Sequence, residues 1–82
     1  MKVYEVMVDD CVECDQSIRT TIFSNYVSAM RLFERERDEA IERAKEDRWQ
    51  VDISGNSVYT YEKGYSCENH FWVTLLTKEV QN

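Results

Sequence analysis

The 82-residue chain has no proline and only two glycines, which excludes collagen-like, proline-rich and glycine-rich linker architectures. It also lacks long apolar runs. The longest wholly hydrophobic stretches, Val6-Met7-Val8 and Phe71-Trp72-Val73, are far too short for a membrane span or a signal-peptide core. Basic residues are outnumbered, with 10 Lys and Arg against 16 Asp and Glu and a net charge of -6. That balance argues against direct, sequence-independent binding to DNA or RNA, whose affinity comes mostly from cations on phosphates. Glycine loops that cradle phosphates are missing. Three cysteines, an odd number, cannot form a complete internal disulfide set, and a cytoplasmic, reducing setting is expected.

What is present fits one soluble globular domain over residues 1–82, with 43% hydrophobic and 32% charged residues. A chain of this length buries only about 60% of its unfolded surface, so the core leaves a thin margin over chain entropy.

The patterning predicts α+β, in the chain order β-β-α-β-β-β. Lys2 to Val8 alternates as a strand, with Tyr4, Val6 and Val8 on one face and Val3, Glu5 and Met7 on the other. Asp9 to Gln16 is polar and acidic and reads as a loop. Ser17 to Phe23 is a second strand, and Ser24 or Asn25 can cap the helix that follows. From Asn25 to about Asp47 nothing breaks a helix. Tyr26, Met30, Phe33, Ala40, Ile41 and Ala44 form an apolar stripe, interrupted by Arg37, whose head is expected to snorkel to water. Glu39 and Arg43 stand in the favourable i,i+4 order. Trp49 to Ile53 and Ser57 to Glu62 flank a Ser54-Gly55-Asn56 turn, Lys63 to Asn69 is a loop, and His70 to Lys78 is the last strand. One long helix on one face of a small antiparallel sheet is the economical arrangement. At about 1.5 Å per residue the helix is expected to outrun every strand and overhang the sheet.

Such a fold leaves one sheet face without a helix. Tyr59, Tyr61, Trp72 and Leu76 alternate with Val58, Phe71, Val73 and Leu75, so an aromatic surface is expected to face outward. A patch of that kind suits a partner protein or a homodimer. With Asp9, Asp10, Glu13 and Asp15, the residues Tyr59, Tyr61 and Trp72 make the candidate partner-binding set.

All three cysteines and the only histidine fall into two short spacings. Cys11-Val12-Glu13-Cys14 is a C-x2-C and Cys67-Glu68-Asn69-His70 a C-x2-H. Two intervening residues let both side chains meet one tetrahedral ion, and Cys3His is a standard structural zinc set. Strand parity places both pairs at the same end of the domain, provided Trp49 to Ile53 is a strand. The carboxylates around Cys11 and Cys14 disfavour a thiolate nucleophile there, whereas a divalent ion would draw those same carboxylates in. Metal-free thiols, a Cys11-Cys14 disulfide or redox motif, and an acidic calcium or magnesium loop are the alternatives. The last lacks the glycine and spacing of an EF-hand. No catalytic set is expected: Cys67 and His70 lack an orienting third group.

Val3-Tyr4-Glu5-Val6-Met7-Val8, followed by Ile22-Phe23-Ser24-Asn25 and a helix containing Ala29, resembles small acidic ββαβ proteins of phages and mobile elements. Some of these are anti-CRISPR-like inhibitors. The resemblance covers the first third to half of the chain, and the cysteine pairs lie outside its pattern. It implies a protein that blocks a nucleic-acid-handling host enzyme by occupying a basic groove in the bacterial cytoplasm. The chain therefore reads as a non-enzymatic acidic interaction module with a zinc staple. The alternatives are a zinc-binding adaptor with no inhibitory role and a small thiol-redox protein using Cys11 and Cys14.

Overall fold

The computed structural model describes residues 1–13, 15–63 and 69–81. Its elements are β1 (Lys2–Val12), β2 (Asp15–Phe23), α1 (Tyr26–Asp47), β3 (Gln50–Ser54), β4 (Ser57–Tyr61) and β5 (His70–Glu79). The fold is α+β: one helix against a five-stranded sheet in which every pairing is antiparallel. In space the strands run β2-β1-β5-β4-β3, so the order read along the chain is not the order in the sheet. The last strand inserts between β1 and β4. The helix joins the two edge strands, β2 and β3, by crossing over the centre.

Asn25 caps that helix in an extended conformation, its Oδ1 accepting from the amides of Val27 (2.8 Å) and Ser28 (3.2 Å). Two otherwise orphaned donors are thereby satisfied. The face turned to the sheet buries Ala29, Phe33, Glu36, Ala40 and Ala44. Opposite them lie Val6 and Val8 of β1, Val58 of β4, and Phe71, Val73 and Leu75 of β5. A helix with side chains is about 10–12 Å across, against strand spacings of about 4.8 Å, so it covers roughly three strands. The edges stay open: Val51 and Ile53 of β3 lie on the helix side yet remain exposed.

Four expectations are corrected. Most of Asp9 to Gln16 is not loop: among its described residues only Glu13 lies in the turn, while β1 continues to Val12 and β2 begins at Asp15, because the strand residues gain partners across the ladder, Asp9 with both Ile18 and Trp72. The lengthened β1 also means that the helix does not outrun every strand, since eleven strand residues reach about 36 Å and the 22-residue helix about 33 Å. The buried stripe keeps Phe33, Ala40 and Ala44, with Met30 and Ile41 partly buried against the core, but it loses Tyr26 and gains Ala29 and Glu36. Tyr26 is exposed, meeting only the edge of Tyr4 at 5.3 Å, while Glu36 is buried beside the Arg19 guanidinium at 3.7 Å. Finally, Arg43 sits over the Phe71 ring at 5.0 Å, and no ion pair with Glu39 forms among the described residues. A face of Phe71 left open by the helix attracts the guanidinium more than an exposed carboxylate does. Arg37, half-buried, lies 6.0 Å over Phe33 with its Nε donating to Asp38. Among the described residues, no helix is long and apolar enough to cross a membrane.

Candidate functional site

Residues directly opposite in an antiparallel pair share a face, so the register sorts the sheet into rows. On the face without the helix, one row runs Asp52, Tyr59, Trp72, Asp9, Ile18 across all five strands. The next row towards the β1–β2 turn is Gln50, Tyr61, His70, Cys11, Gln16. Tyr59, Tyr61 and Trp72 therefore stand together, with Leu76 further down β5. Tyr59 stacks on Tyr61 (5.3 Å, 27°) and meets Trp72 edge-on (6.0 Å, 87°). The indole is held in turn, its Nε1–H donating to Ser57 Oγ at 2.6 Å.

Tyr59, Trp72 and Ser57 line a surface cavity of about 480 Å³. Tyr59 and Trp72 form its apolar wall, Ser54 and Ser57 one side, Asp52 one end, and Asp9 with His70 the other. Asp9 is 9% exposed, and its Oδ1 lies 3.0 Å from Gln16 Nε2 and 3.2 Å from His70 Nε2. Asp52 is exposed and has no ion pair or hydrogen bond among the described residues. Of the lysines in the strands, Lys78 lies on this face, and its ammonium is taken by Glu5 at 2.8 Å. Arg19 and the helix arginines belong to the other side of the sheet. The guanidinium groups thus lie on the helix side, together with the helix carboxylates, while the helix-free face presents Asp9, Asp52 and the Tyr59 and Trp72 rings.

The four acidic residues of the 9 to 15 run do not form one surface. Asp9 faces the cavity, whereas Asp10 turns to the helix side, where its Oδ1 is buried without a partner among the described residues. Glu13 occupies the turn with φ 54°, and Asp15 opens β2. Strand alternation separates neighbours that composition groups together.

Of the expected zinc ligands, Cys14 and Cys67 lie outside the described residues. The other two meet: Cys11 and His70 are register partners at the start of β5. Between them the two motifs are stitched directly, since the Glu13 amide donates to Asn69 Oδ1 at 2.8 Å. Asn69 is also fastened to the end of β4, its Nδ2 donating to Glu62 Oε1 and its carbonyl accepting from the Glu62 amide. Among the described residues alone, no group of three or more His, Cys, Asp or Glu is gathered for a metal.

Comparison with known proteins finds no matching family model, curated protein or solved structure. The site is read from its own chemistry. Sequence reasoning missed Asp52 and Ser57. The Gly55-Asn56 turn carried the signal, because a two-residue connection pairs Ser54 with Ser57 and so Asp52 with Tyr59.

Proposed function

We propose that this protein is a non-enzymatic, acidic interaction module that docks the helix-free face of its sheet against a basic protein surface. The observation that carries the reading is the row Asp52, Tyr59, Trp72, Asp9, on a face where the Lys78 ammonium is already paired with Glu5. Aromatic anchors held in place before binding lose little freedom on association, and the carboxylates supply complementarity to cations. At the β1–β2 end, Cys11 and His70 with Cys14 and Cys67 hold a zinc ion that shapes the edge of this face. The Cys11–His70 register and the Glu13–Asn69 bond support that staple.

The finer reading, inhibition of a nucleic-acid-handling enzyme by a phage-type, anti-CRISPR-like protein, draws on the net charge and on the resemblance carried by β1, the end of β2 and the helix cap. A second copy of the chain competes for the same face. Its carboxylates would meet their own images across a two-fold axis, which favours a basic partner instead.

The test uses an octalysine peptide at low and high salt, with backbone amide NMR shifts as the readout. Shifts are expected at β4, β5 and Asp52, weakening steeply as added salt shortens the screening length to ~10 Å or less. Shifts confined to the acidic residues of α1, or no binding at low salt, would overturn the reading. Sedimentation of the free protein separates a homodimer from a monomer. A thiol titration separates the zinc adaptor from a redox protein using Cys11 and Cys14.

A further inference from the structure

We infer that the cavity between Asp52 and Asp9 is a seat for one arginine side chain of the basic partner, its guanidinium lying on the aromatic wall. This rests on the docking reading above and names the chemistry of its central contact. The row geometry sets the requirement. Three strand spacings of about 4.8 Å separate Asp52 from Asp9, with two rings between them. A ligand must therefore touch an aromatic face and a carboxylate at once. Guanidinium does both, being planar, weakly hydrated and able to offer two parallel N–H donors. An ammonium is a compact, strongly hydrated point charge that satisfies the carboxylate alone.

The two carboxylates differ in readiness. Asp9 is buried and already engaged by Gln16 and His70, so it closes the cavity and contributes charge. Asp52 is exposed with both oxygens open, and it is the group that takes the fork. The rings are fixed beforehand: Trp72 is tied to Ser57, and Tyr59 is held between Tyr61 and Trp72. The Tyr59 and Trp72 planes stand at 87°, so a plane stacked on one presents its edge to the other. No arginine of this chain competes, since those described lie on the helix side of the sheet or on the helix itself.

The experiment compares octa-arginine with octalysine, equal in length and charge, by titration against the full chain and against Asp52→Asn. In the parent protein the arginine peptide is expected to bind about fivefold tighter, equivalent to about 1 kcal/mol. The substitution is expected to weaken both peptides, the arginine peptide by the larger factor, so that the ratio falls to near one. The Trp72 indole N–H resonance, unchanged in Asp52→Asn, shows that the cavity wall is intact. Equal affinities in the parent, or an arginine preference that survives the substitution, overturn the inference and leave the docking reading standing. Failure of both peptides to bind at low salt removes the docking reading itself.

Discussion

Arg48 holds φ 60° and ψ 36° at the end of α1, in the left-handed region where a β-carbon crowds the backbone. The position is worth its strain because it ends the helix: the Arg48 amide reaches the Ala44 and Lys45 carbonyls, and the Trp49 amide donates to Ala44 at 2.8 Å. Carbonyls that would be orphaned are satisfied, and the chain turns directly into β3. The Arg48 side chain makes no ion pair or hydrogen bond among the described residues, so little is lost with it. Glycine adopts this conformation without the steric penalty but loses more freedom on folding. The balance favours glycine, and Arg48→Gly is expected to raise unfolding free energy by about 0.5 kcal/mol in urea denaturation. A loss of stability would mean that the arginine side chain contributes a contact of its own.

Backbone hydrogen bonding in the strands follows one parity, and it shows which edge groups are free. The Val80 amide donates to Met1, which fixes the odd-numbered residues of β1 as those bonded to β5. The even-numbered ones then bond β2, so Val6 pairs with Thr21 in the ladder, while the Thr20 backbone points away from the sheet. Proline at Thr20 removes no ladder bond; proline at Thr21 removes one and leaves the Val6 carbonyl without its donor. Thr21→Pro is expected to be about 1–3 kcal/mol less stable than Thr20→Pro by urea denaturation. Equal costs would refute this parity. Much of this architecture was legible beforehand, for local reasons. The alternation in Lys2 to Val8, and of Val58, Phe71, Val73 and Leu75 with Tyr59, Tyr61, Trp72 and Leu76, separated helix-facing from outward residues, and Ser24 or Asn25 marked the helix start. What stayed hidden was set by tertiary pairing. Asp9 to Val12 looks like loop because its polarity is local, whereas its strand conformation comes from two flanking strands. Glu36 looks solvated because its burial depends on Arg19, seventeen positions away in the chain.

Across the whole molecule, the end formed by the β1–β2 turn and the start of β5 joins segments from opposite ends of the chain. In a chain with so small a core, that junction is where a metal would contribute most. The Glu13–Asn69 bond and the Cys11–His70 register bring the two cysteine-containing motifs against each other before any ion is considered. In the tautomer that donates Nε2–H to Asp9, the His70 ring leaves Nδ1 with the lone pair a metal takes. A carboxylate behind a ligating imidazole typically strengthens metal affinity by 10- to 100-fold. Native mass spectrometry of protein prepared without added metal is therefore expected to show one zinc per chain. Chelation should lower the melting temperature, and Cys67→Ser should cost on the order of 3 kcal/mol. Asp9→Asn should keep the zinc stoichiometry but weaken affinity roughly 10- to 100-fold, which a merely structural carboxylate would not do. A metal-free mass, an unchanged melting temperature on adding zinc and a harmless Cys67→Ser would together leave the junction held by Asn69 and the β1–β5 ladder alone.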